Sequence, residues 1–134
     1  MPEKRTAARA RRDLRQGKSP STAAGEFVKE ELEHIRGRKH GARSAKQAIA
    51  IGLSKARRAG VPLPPRKGTK TGKPKHKASA RRSHAMRERL KREPHRAASH
   101  RALSRQAHQA ARRRGKADRS RAGRRAAATR RRRA

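Results

Sequence analysis

The chain has 134 residues, 43 Lys and Arg against 9 Asp and Glu, a formal net charge of +34, 30% apolar residues and a single aromatic, Phe27. A chain of this length holds one domain at most, and this composition predicts too little apolar burial to offset the entropy of ordering the whole of it. The absence of cysteine excludes a disulfide framework, a thiol nucleophile and a Cys-containing zinc site, and no apolar run reaches the roughly 18 residues of a membrane span.

The charge calls for a polyanion. Ordinary solubility of a small domain takes a net charge of only about 2–8, far below +34. Duplex DNA carries one negative charge per roughly 1.7 Å of axis, so the surplus matches at most about 17 base pairs of phosphate. The N-terminus, MPEKRTAARARRDLRQGK, lacks the apolar core of a secretory signal, and Glu3 and Asp13 count against a transit peptide. The expected location is therefore cytoplasmic, on the nucleoid.

In chain order, three regions are distinguished. Residues 1–60 hold 16 basic and 6 acidic side chains, and residues 61–134 hold 27 and 3. The stretch Val61-Pro62-Leu63-Pro64-Pro65 separates them, its prolines disfavouring helix. This gives a helical head (1–60), a Pro/Gly/Lys linker (61–78) and an Arg/Ala-rich basic tail (79–134). The fold class expected is a mostly disordered chain with a small all-α head, a helix–turn–helix-like pair over about 22–36 and 45–59. Residues 6–16, with Ala7, Ala10 and Leu14, are the one candidate for a third head helix.

For the helix over 22–36, Ser21 or Thr22 is the expected cap. Phe27, Val28, Leu32 and Ile35 recur at spacings of three and four on one side, and Glu26, Glu30, Glu31 and Glu33 suit its positive N-terminal half. A basic turn, Gly37 to Arg43, follows. The helix over 45–59 has the clearest signals: Ser44 and Gln47 at capping-box spacing, and an apolar face of Ala45, Ala48, Ile49, Gly52, Leu53 and Ala56. Arg57 and Arg58 occupy the last turn, Gly60 suits a left-handed C′ position, Val61 its hydrophobic contact, and Pro62 blocks continuation. Head packing is assigned to Phe27, Val28, Leu32, Ile35, Ile49 and Leu53; so small a pair is expected to be marginal until it binds or self-associates. In the tail, Met86/Leu90 and Leu103/Ala107 mark two helices, separated at Pro94 and frayed by repulsion among their arginines.

The segment HGARSAKQAIAIGLSKARRAGVPLPP, residues 40–65, carries the core Ser-x-Lys-Gln-Ala-Ile-Ala-Ile-(Gly/Ala)-Leu-Ser-x-Ala-Arg followed by Ala-Gly, matched by Ser44, Lys46 through Ser54, Ala56, Arg57, Ala59 and Gly60. It resembles a family of small basic bacterial proteins of unknown function. The upstream AGEFVKEELEHIRGRKHG extends the resemblance to residues 24–65, about a third of the chain. Some members carry the labels DNA-binding or plasmid-stabilisation protein, so the resemblance implies DNA as a partner. The Arg/Ala tail is similar to histone-H1-like tails and protamines in composition alone.

No catalytic constellation emerges. The histidines, His34, His40, His76, His84, His95, His100 and His108, include no i,i+4 pair and no H-E-x-x-H, so no metal ligand is assigned. Lys67-Gly68-Thr69 does not make a phosphate-binding P-loop. No enzyme, cofactor or small-molecule substrate is expected. One aromatic cannot supply the stacking platforms of single-strand readers, which favours duplex DNA over RNA. The residues assigned to nucleic acid are Arg38, Lys39, Arg43, Lys46, Arg57 and Arg58 in the head, and Lys67, Lys70 and Lys73 in the linker. In the tail they are Arg81, Arg82, Arg112, Arg113, Arg114, Arg124, Arg125, Arg130, Arg131, Arg132 and Arg133. The leading expectation is sequence-tolerant DNA binding of the nucleoid-associated type. The alternatives are an RNA- or ribosome-associated protein, and a protein-interaction module that its tail merely localises.

Overall fold

The computed structural model describes residues 2–65 and 79–134, and the expected linker cations Lys67, Lys70 and Lys73 lie outside them. The described residues form six α-helices: α1 (Lys4–Arg15), α2 (Pro20–Arg36), α3 (Ala45–Arg58), α4 (Ala80–Arg92), α5 (His100–Arg113) and α6 (Lys116–Arg133). A 3₁₀ turn, Arg96–Ala98, precedes α5. The chain divides into two compact units, residues 1–99 and 100–134.

The expectation of a mostly disordered chain is therefore wrong. Two physical terms were underweighted. Ala, Arg, Leu and Gln are the strongest helix formers, so the tail composition that reads as disorder by charge reads as helix by propensity. The head also needs fewer large side chains than assumed, because alanines let helices approach closely. Ala10, Ala23, Ala24, Ala42, Ala48, Ala56 and Ala98 are all at most 2% exposed.

Local signals set the helix ends. At α2, Ser19 and not Ser21 or Thr22 is the N-cap: the Thr22 amide donates to Ser19 Oγ at 3.3 Å, and Pro20 occupies the first helical position. At α3 the Gln47 amide donates to Ser44 Oγ at 3.2 Å as expected. The Gln47 side chain reaches one residue further back than a capping box does, accepting the Arg43 amide at 2.7 Å. Three helices end in Schellman turns. After α3, Gly60 (φ 91°) and Val61 donate to the carbonyls of Arg57 and Ala56, with Val61 buried as the hydrophobic contact. After α1, Gly17 (φ 72°) and Lys18 donate to Leu14 and Asp13. After α2, Arg38 takes the left-handed position (φ 58°), although Gly37 stands immediately before it.

The packing centres on α2. It lies between α1 and α3, so residues 6–16 do supply the third helix of the head. Two apolar clusters result. Phe27 packs with Ala10, Ala23, Ala24, Ala56 and Val61, flanked by Ala7, Leu14, Leu53 and Leu63. Ile35, flanked by Leu32, packs with Ala42, Ala48, Ala97 and Ala98. Val28 and Ile49 are only half-buried. Helices α2 and α3 touch at Val28 and Gly52, where an added Cβ would stand 2.7 Å from Val28 Cα.

Residues 90–98 close over the α2–α3 turn. The Gly41 amide donates to Leu90 O (2.8 Å), the Ala42 amide to Pro94 O (3.0 Å) and Arg36 Nε to Ala98 O (3.0 Å). A Cβ on Gly41 would run into the Glu93 carbonyl, so this contact needs glycine. The apolar faces invoked for self-association, those of Phe27 and Ile35, are thus fully covered within residues 1–99. Between the clusters, Glu30 and Glu31 are 3% and 1% exposed, with Lys55 Nζ at 3.8 and 2.6 Å.

Candidate nucleic-acid interface

The cations divide by what they already hold. Inside the head, Arg9 pairs with Glu26 at 2.8 Å and Lys18 with Asp13 at 2.7 Å, while Lys55 serves Glu30 and Glu31. These positions hold the fold together. Lys39, assigned to phosphate, lies 3.6 Å from Glu3, which also takes His34 Nε2 at 3.2 Å. The His34 hydrogen bond, with Lys39 nearby, holds the Glu3 carboxyl below its ordinary 4.5.

The other assigned head cations are exposed. Arg38 lies two residues beyond α2, Arg43 precedes the α3 cap, Lys46 sits in the first turn of α3, and Arg57 and Arg58 in its last. None has a carboxylate partner among the described residues, and Arg57 donates to the Pro64 carbonyl at 3.3 Å. Lys46 lies at the positive end of α3 and Arg57 and Arg58 at its negative end, so the helix presents cations at both extremities. A face that the sequence reading did not assign lies on α1, where Lys4, Arg11, Arg12 and Arg15 are exposed around Ala8. Its signal was present: these positions alternate at helical spacing with Ala7, Ala10 and Leu14, the residues that face α2.

Arg81 and Arg82 occupy the first turn of α4, capped by Ser79, and are exposed. In residues 100–134, Arg112 and Arg113 form the last turn of α5, and Arg114 lies between α5 and α6. Helix α6 holds Arg124, Arg125 and Arg130 to Arg133, all exposed, and no residue of α6 is buried. Asp118 pairs with Arg121 three positions on, the one acidic residue of α6 against nine basic ones. At 100° per residue these cations surround the helix on every side. Such a helix has no apolar stripe to bury. Its order rests on Ala and Arg propensity, with a terminal run of arginines at the negative end of its dipole.

No helix among the described residues is long and apolar enough to cross a membrane. Among the described residues, the structure thus brings the assigned cations to the surface at helix ends, helix faces and turns, and spends Lys39 partly on Glu3. No curated protein and no solved structure matches the chain. Residues 16–67, which span α2, α3 and the turn between them, match a family of unknown function (DUF6496).

Proposed function

We propose that the chain binds nucleic acid through its phosphates, with duplex DNA as the main target and little preference for sequence. Helix α6 is the observation that carries this reading. Its 18 residues span about 27 Å, a length over which a DNA duplex presents about 16 phosphates. A cationic helix with no side to fold against suits a polyanion and little else. Phosphate contacts fix position without reading bases, hence the weak sequence preference. The DNA-binding labels borne by some proteins of the family that residues 40–65 resemble agree with this, and a place on the nucleoid would follow from it. The activity is binding, without a catalytic step.

The test is fluorescence anisotropy of a labelled random-sequence duplex titrated with the full chain at several salt concentrations. With 6–10 phosphate contacts, affinity is expected to fall by about 10³–10⁵ between 50 and 200 mM salt. Affinity that stays flat over this range would refute phosphate binding. Preference for single-stranded RNA over the duplex in competition would move the function to RNA.

A further inference from the structure

The sequence contains no two-histidine clamp at helical spacing, yet the fold builds a donor cluster from separate segments. Glu31 and His34, three apart on α2, share one side of the helix, the spacing by which carboxylate and imidazole ligands are paired in helical metal sites. The left-handed turn at Arg38 then folds His40 back against them. One ligand atom from each of Glu31, His34 and His40 lies within 4.8 Å of the others.

We propose that Glu31, His34 and His40 bind a divalent transition-metal ion, zinc by preference. The chemistry starts from Glu31, which is 1% exposed. Its Oε2 is held by Lys55 Nζ at 2.6 Å, and its Oε1 is buried and accepts no hydrogen bond. That free oxygen lies 3.1 Å from His40 Nε2. The other ring nitrogen, Nδ1, is 3.0 Å from the Gly41 carbonyl oxygen, which can only accept, so Nδ1 carries the proton. In its neutral form, with Nδ1 protonated, His40 would turn a lone pair at Nε2 toward that buried carboxylate oxygen, leaving a place for a cation between two acceptors. A bond from Nδ1–H to a backbone carbonyl is also the outer contact that orients histidines ligating a metal through Nε2.

Charge points the same way. Two buried carboxylates, Glu30 and Glu31, share the single ammonium of Lys55. With His40 neutral this arrangement leaves one carboxylate charge over, and a cation at Glu31 Oε1 would cancel it. Two imidazoles and a carboxylate form a donor set that zinc takes, with bonds of about 2.0–2.2 Å and the fourth position open to water. Closing from the present separations asks each side chain to move by roughly an ångström at most. Glu3, whose Oε1 lies 3.2 Å from His34 Nε2, stands at the rim. An occupied site would tie α2 to the turn that carries residues 90–98.

The experiment uses the full chain, stripped with a chelator and freed of nucleic acid, with zinc chloride titrated in a calorimeter and cobalt(II) as an optical probe. One-to-one saturable uptake is expected, with a tetrahedral cobalt spectrum and a zinc-dependent rise in Tm. His40→Gln and His34→Gln are each expected to weaken uptake at least tenfold, whereas His108→Gln, in exposed α5, leaves it unchanged. Absence of one-to-one uptake by the wild-type chain would overturn the proposal, and would leave the cluster to be balanced by a proton on His40. Equal uptake by a His40→Gln variant of wild-type circular dichroism would also overturn it. Should that variant not fold, the wild-type Tm decides: no change with zinc counts against the site.

Discussion

Arg38 shows how a single backbone angle carries cost. It occupies the left-handed position that ends α2, where its Cβ crowds the carbonyl at about 1–2 kcal/mol, while Gly37, one residue earlier, keeps an ordinary negative φ. Arg38→Gly is expected to raise stability by about 0.5–1 kcal/mol, the relief being partly offset by the greater freedom of glycine in the unfolded chain. A higher urea midpoint at unchanged slope would show this. The sequence offered two glycines in this turn, Gly37 and Gly41, and neither takes the left-handed role. Gly41 serves close approach instead. Glu30 and Glu31 teach a related lesson. The sequence reading placed them by the helix dipole, yet they lie three and four positions beyond Phe27, on the side of α2 that becomes buried. What makes them tolerable there is Lys55, from another helix, and pairing across helices is not written in either segment.

At the scale of elements, the helices followed from local chemistry and their mutual arrangement did not. Capping serines, apolar periodicity and the Gly60-Val61-Pro62 stop locate α3 to within a residue, since these signals act over a few positions. The α2 start was misplaced by two residues because Ser19-Pro20 is also a cap signal and competes with Ser21 and Thr22. Helices α4 and α5 were expected to fray because repulsion among arginines was weighed above propensity, and no helix was placed over α6 for the same reason. The docking of residues 90–98 on the α2–α3 turn had no sequence signal, for it depends on a missing Cβ at Gly41. Gly41→Ala is expected to cost about 1–3 kcal/mol by forcing the two backbones apart, beyond any gain in chain stiffness. Hydrogen exchange checks it: the Ala42 amide, bonded to Pro94 O, should lose protection while amides in the middle of α3 keep more of theirs.

For the whole molecule, charge is segregated, and that arrangement organises the proposed function. Six of the nine acidic residues lie in the first 60 positions, where most are spent on internal pairs, while residues 100–134 hold 14 basic side chains against Asp118 alone. Deleting residues 115–134 is expected to change the unfolding free energy of residues 1–99 by no more than about 0.5 kcal/mol, because no buried residue lies in α6. The same deletion should lower the salt slope of duplex binding by about 0.9 for every phosphate that α6 neutralises in the intact chain. Circular dichroism melts and anisotropy at graded salt measure the two effects. An unchanged slope would place the phosphate binding in residues 1–114. The sequence by itself determined the surplus of positive charge, the surface-bound arginines and the helical periodicity, since these depend on residue type and on neighbours a few positions away. Only the tertiary structure decided that alanine clusters suffice for a core, that Glu31 meets Lys55 and His40, and that residues 90–98 complete the head. Those outcomes rest on the distance between backbones, which no spacing along one chain segment specifies.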